Sequence, residues 1–216
     1  LDAAILFSDI LTIPDAMGLG LSFQTGEGPK FARPIQTPQM IDTLAIPSTT
    51  NDLGYVLEAA NMIRKNMPAH LPLIGFSGSP WTLACYMIEG GGSKDFKQVL
   101  SFLYQNPSAM HTLLEKLTES IIDYLDKQVE AGVNALMLFD SWGGILTTTN
   151  FGAFSCEYSA KIIQALKAKY THIPILLFTK GGGQWLETLS ATGCDVLGLD
   201  WMCDIARARS TVGGKV

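Results

Sequence analysis

Ala135-Leu136-Met137-Leu138-Phe139-Asp140 is apolar for five residues and then ends on an acid. The same phrase returns as Ala3-Ala4-Ile5-Leu6-Phe7-Ser8-Asp9 and Leu73-Ile74-Gly75-Phe76-Ser77. Two later copies are Ile175-Leu176-Leu177-Phe178-Thr179-Lys180 and Val196-Leu197-Gly198-Leu199-Asp200. Short apolar runs bounded by polar residues read as strands covered on both faces, as parallel strands under helices are. In a parallel α/β barrel the strand C-termini face the mouth where chemistry happens. The run-ends Asp9, Ser77, Asp140, Lys180 and Asp200 are therefore the first candidates for a site.

Helical patterns fill the gaps between these runs. Asn51 or Asp52 caps an expected helix through Tyr55, Ala59, Met62 and Ile63 to Asn66. Ser79-Pro80 sets an N-cap before a proline at the first helical position, and that helix stops at Gly90-Gly91-Gly92. A helix is expected over 94–104, and a long one opens at Asn106-Pro107 and reaches Glu130. Leu113, Leu114, Leu117, Ile121, Leu125 and Val129 recur in it at spacings of three and four. Further helices are expected from Phe154 to Tyr170, from Gln184 to Ala191 and from Asp204 to Ser210. Residues 21–50 are rich in Gly, Pro and Thr and read as an excursion containing a hairpin. This beat of helix then strand predicts right-handed βαβ units in a single domain over 1–216. A doubly wound sheet stays open as an alternative, but no phosphate-binding glycine fingerprint accompanies it. The predicted class is α/β, a (β/α)8 TIM-barrel-like fold with about five of its eight strands here.

Composition narrows the function. A chain of 216 residues with 47% hydrophobic content buries a sizeable core. No apolar stretch approaches the roughly 18 residues that span a bilayer, and no leader peptide opens the chain. The formal charge of −5 argues against nucleic acid as a partner. Cys85, Cys156, Cys194 and Cys203 lack close Cys or His pairs, so free thiols in a reducing cytosol are expected rather than zinc. The chain begins within a strand, without an initiator Met, and ends at Gly213-Gly214-Lys215-Val216 as another strand is about to start. It reads as an internal segment of a longer protein.

Several strings together closely resemble the uroporphyrinogen decarboxylase family, in its bacterial form. They are Ala3–Leu11, Gly75–Ala84, Tyr86-Met87-Ile88-Glu89-Gly90-Gly91, Phe178-Thr179-Lys180-Gly181-Gly182-Gly183 and Gly198-Leu199-Asp200-Trp201. The resemblance implies a distorted (β/α)8 barrel and a cytoplasmic homodimer that needs no cofactor and no metal. It implies conversion of the four acetate side chains of uroporphyrinogen III to methyls, giving coproporphyrinogen III for haem. Asp9 matches the family's essential aspartate, Tyr86 a tyrosine over the substrate, and Ser141 a residue that bonds a substrate carboxylate. Ile5 and Phe7 match apolar residues lining the cleft. The family's arginine-rich motif and late histidine fall before and after these residues, so a chain stopping at these termini is expected to be inactive alone.

Each candidate also has a plainer reading. From spacing alone, without the resemblance, Asp9 reads first as a helix-capping aspartate, Tyr86 as a half-buried core tyrosine and Ser141 as a turn serine. Lys180 is balanced between anion binding and an ion pair with Asp200 or Asp140. The glycines at 90–92 and 181–183 lack P-loop spacing, so close backbone packing is expected there. His70, His111 and His172 are not assigned to catalysis. Two rivals remain: a corrinoid-linked methyltransferase, which needs zinc on His and Cys, and a non-catalytic barrel remnant that binds a partner.

Overall fold

Strand and helix alternate along the chain in a computed structural model that describes residues 2–6, 8–24, 26 and 28–216. The strands are β1 (Ala4–Ile5), β2 (Leu21–Gln24), β3 (Gly28–Phe31), β4 (Leu73–Gly78), β5 (Ala135–Asp140), β6 (Ile175–Thr179) and β7 (Val196–Gly198). The helices are α1 (Thr12–Pro14), α2 (Pro38–Asp42), α3 (Thr49–Asp52), α4 (Gly54–Asn66), α5 (Pro80–Glu89) and α6 (Lys97–Gln105). They continue with α7 (Pro107–Glu130), α8 (Thr148–Phe151), α9 (Glu157–Lys169), α10 (Leu186–Ser190) and α11 (Ile205–Val212). β1, β4, β5, β6 and β7 pair in that order, all parallel, and β2–β3 form the hairpin expected within 21–50. Parallel strands deliver their following residues to one rim, so Asp9, Ser79, Ser141, Lys180 and Asp200 share it.

The core lies between this sheet and its helices. The spacing of α7 is borne out: Leu113, Leu114, Leu117, Ile121 and Leu125 are all fully buried, and the helix packs against α5 and α9. Ser79 caps α5 as predicted, its hydroxyl accepting the Thr82 N–H at 3.1 Å. The packing reading of the glycine runs holds at two points. A Cβ on Gly91 would sit 2.8 Å from the Pro29 carbonyl, and Gly181, at φ +77°, lies against Gly144.

Boundaries depart from expectation where side chains intervene. Neither Asn51 nor Asp52 caps the helix through Tyr55: α4 follows Leu53, which makes no side-chain cap bond, and the side-chain cap nearby is Ser48, at the start of the separate short helix α3. Ser48 accepts from the Asn51 N–H while the Asp52 carboxylate accepts the Ser48 N–H, a reciprocal pair that opens α3; α3 ends at Asp52, and α4 begins at Gly54. The helix expected from Phe154 starts at Glu157, after a widened π turn over Gly152–Cys156.

β1 stops at Ile5 rather than running to Asp9, and a distant side chain explains it. Leu6 N–H still reaches the Ile74 carbonyl at 3.0 Å. At the next place on that edge, the Gln128 amide takes both polar groups of Phe76, each at 3.0 Å. Gln128 thus stands where β1 would continue. Gly75 makes the room, since a Cβ there would lie 2.4 Å from Gln128 Oε1.

Candidate functional site

Asp9 lies outside β1, in a turn before α1, and is half-buried. Asp9 Oδ1 accepts the Leu11 N–H at 2.7 Å, the local turn bond of an aspartate two residues before its donor. The capping reading is therefore true of one oxygen. No described residue donates to the other, which leaves an acceptor at the rim. The carboxylate lies near enough to Tyr86 and Tyr55 for its charge to help raise both phenols.

Tyr86 projects from α5, one turn beyond Thr82, and is half-buried. Burial is the main cause that lifts its phenol above the ordinary tyrosine value, with Asp9 adding to it. It therefore remains a neutral donor at physiological pH. Its ring lies 6.1 Å from that of Trp142, which in turn packs 4.7 Å from Phe96. The buried Trp142 Nε1 has no hydrogen-bond partner among the described residues. It favours the ionised phenol of Tyr86, but at a geometry too loose to be a bond.

Ser141 follows β5 directly, half-buried, with no hydrogen bond to its hydroxyl among the described residues. Its neighbour Asp140 is not at the mouth: it is fully buried. Oδ1 accepts from Ser79 Oγ (2.7 Å) and Thr82 Oγ1 (3.1 Å), and Oδ2 from Ser155 Oγ (2.7 Å) and Thr179 Oγ1 (3.4 Å). Burial raises its pKa although all four hydroxyls favour the charged form. Ser77 is likewise buried, its hydroxyl spent on the Gly78 carbonyl. Asp200 caps the loops beside it, accepting from the N–H groups of Gly181 and Met202. Of the five run-ends, then, Asp140 and Ser77 are structural groups.

Lys180 does not pair with Asp140 or Asp200 among the described residues. Its Nζ lies 5.5 Å from the Trp142 ring centroid and 5.6 Å from that of Trp201. Ile5, on the edge strand β1, is 44% exposed; Phe7 lies outside the described residues. His111 bonds Tyr158 at 2.6 Å and stacks on Phe154, between outer helices. No group of three His, Cys, Asp or Glu fit to hold a metal occurs among the described residues. The four thiols are free. A groove of about 670 Å³ runs between β7 and α11 and shares no residue with this set. Sequence reading missed Trp142 and Thr82. The signal for Thr82 was its place one helical turn before Tyr86.

The arrangement is a half-free carboxylate, a neutral phenol, a free hydroxyl and an exposed ammonium around indole faces. It suits a ligand that brings N–H groups to Asp9 and carboxylates to the others. The sequence model described as uroporphyrinogen decarboxylase (URO-D) matches residues 1–216. Uroporphyrinogen decarboxylases of Legionella pneumophila (strain Lens) and Colwellia psychrerythraea are 61% and 54% identical to the whole chain. The chain spans 61% of the length of each. In structure it resembles a methyltransferase from Methanosarcina mazei, with a TM-score of 0.83 over all of this chain and 63% of that one, at 19% identity. That likeness concerns the fold and agrees with the barrel-like parallel architecture expected of the sequence. With every residue covered by the family's sequence pattern and more than half of them identical in these two relatives, the chain belongs to the uroporphyrinogen decarboxylase family.

Proposed function

We propose that the complete protein removes the four acetate carboxyls of uroporphyrinogen III to give coproporphyrinogen III, acting in the cytoplasm as a homodimer without a cofactor. The observation that carries this is Asp9, held through one oxygen and open at the other, beside Tyr86. A pyrrole-bound acetate loses carbon dioxide only if the electron pair of the breaking C–C bond has a destination. Protonation of a pyrrole ring carbon creates an iminium-like cation that accepts it. The methylene left behind then takes a proton to become methyl, and the ring carbon gives its proton up. A fixed carboxylate about 4 Å from that cation, at an effective dielectric near 20, contributes on the order of 4 kcal/mol before desolvation. The same oxygen accepts pyrrole N–H groups and folds the macrocycle around one point. Tyr86 and Ser141 supply hydroxyl donors to substrate carboxylates, Ile5 and Phe7 apolar walls.

The relatives' names support this reading. The rival of a zinc-dependent methyl transfer has the fold likeness on its side, but Cys203 has no histidine near it in sequence, and a zinc assay on the complete protein separates the two. The decisive test is Asp9→Asn in the complete chain. We expect turnover to fall more than about tenfold, equivalent to 1.4 kcal/mol of transition-state stabilisation, with an unchanged thermal melt. Asp9→Glu is also expected to be poor, because a longer arm misplaces the acceptor. Near-normal turnover by Asp9→Asn removes Asp9 from the mechanism.

A further inference from the structure

Thr82 joins two features that otherwise stay separate, the buried Asp140 cluster and the open rim. Its hydroxyl gives its one proton to Asp140 Oδ1 at 3.1 Å and accepts the Trp142 N–H at 3.3 Å. Ser79 is polarised in the same way, accepting the Thr82 N–H and donating to Oδ1 at 2.7 Å. Oδ1 is thus an acceptor for two hydroxyls whose other sides are already taken, so the direction of both bonds is fixed. The Trp142 carbonyl is held as well, by Trp81 Nε1 at 3.0 Å. Trp142 is therefore gripped at its N–H and its carbonyl by consecutive residues of α5. The residue before it is Ser141, and its ring lies beside Tyr86 and under Lys180. Gly143 completes the fit, since a Cβ there would overlap Asp140 Oδ2.

We propose that Thr82, backed by the Asp140 carboxylate, is the positioning residue that locks the Ser141–Trp142 turn to α5, and so fixes the spacing between the Ser141 hydroxyl and the Tyr86 phenol. Neither Thr82 nor Asp140 touches substrate. Both act through a turn and a helix that do. The inference rests on the decarboxylase reading of this rim, because it assigns Tyr86 and Ser141 to the substrate.

The test compares variants of the complete chain on uroporphyrinogen, well below their melting temperatures. Thr82→Val keeps the shape and removes the link; it is expected to lower kcat/KM about ten- to a hundredfold and to raise KM, as a misplaced contact does. Thr82→Ser restores the hydroxyl and is expected to stay within about twofold of wild type. Ser155→Ala removes a bond of 2.7 Å to the far oxygen of Asp140 but leaves the Thr82 link. It is expected to lower the melt and leave KM unchanged. If Thr82→Val does not fold, Thr82→Cys is read against the same expectations. Wild-type KM and kcat in Thr82→Val, or a KM rise in Ser155→Ala as large as in Thr82→Val, overturns the proposal. Asp9→Asn is assayed alongside: its normal turnover sinks the decarboxylase reading, whereas the Thr82 result bears on positioning alone.

Discussion

A carboxylate arriving at Lys180 meets an ammonium whose company, among the described residues, is two indole faces. Each such contact is worth about 0.5–1 kcal/mol at an exposed site, less than a charge-assisted hydrogen bond. Lys180→Gln is expected to raise KM for the anionic porphyrinogen about three- to tenfold and to flatten its salt dependence, with Lys180→Arg close to wild type. Steady-state kinetics across ionic strength checks this, and an unchanged KM in Lys180→Gln sinks it. In the sequence Lys180 was undecided because its alternative partners, Asp140 and Asp200, end equivalent runs. Asp9 and Asp140 also look alike there: each is an acid closing an apolar phrase. What separates them is company. The hydroxyls around Asp140 come from residues 79, 82, 155 and 179, a convergence that only the folded chain assembles.

α7 and α9 are joined outside the core by a clasp of three polar side chains. Asp126 accepts from Lys169 Nζ at 2.6 and 2.8 Å and from the Tyr170 hydroxyl at 2.8 Å. Burial opposes ionisation of Asp126, but these bonds outweigh it and hold its pKa below the ordinary value. A lowered folded pKa means the stabilisation is present above the unfolded value, about 3.9, and is lost as pH falls through the folded one. Asp126→Asn is expected to lower the melt by about 1–3 °C at neutral pH, with the gap to wild type closing in acid. Melts from pH 7 to pH 3 check it, and a gap that persists in acid assigns the loss to packing. The elements themselves were largely legible. Apolar spacing fixed α7, and Ser79-Pro80 fixed the start of α5. The ends of β1 and α9 were not, because a glutamine far along the chain truncates the first and a π turn delays the second.

At the scale of the molecule, the sheet is bordered by β1 and β7, with β1 having two paired residues. Beside β7, Trp201 is 82% exposed, Met202 79% and Ile205 76%. Unpaired strand edges beside exposed apolar groups favour association. A polypeptide of these 216 residues is expected to self-associate, and Met202→Glu with Ile205→Lys to reduce it; sedimentation velocity distinguishes the two. A wild-type polypeptide that sediments as a monomer overturns the expectation. The parallel order of the sheet was readable from five apolar runs, whereas what covers its edges belongs to no single run. The seam between β1 and β4 has a further consequence, for substitution. Gln128 reaches Phe76 only through the space that Gly75 leaves vacant. A side chain at 75 is admissible only once the long amide at 128 has gone, and losing that amide strands two polar backbone groups unless the first strand lengthens to meet them. The two positions, 53 apart in the sequence, are therefore coupled, and a substitution at one is expected to be tolerated only with a compensating change at the other or at the end of the first strand.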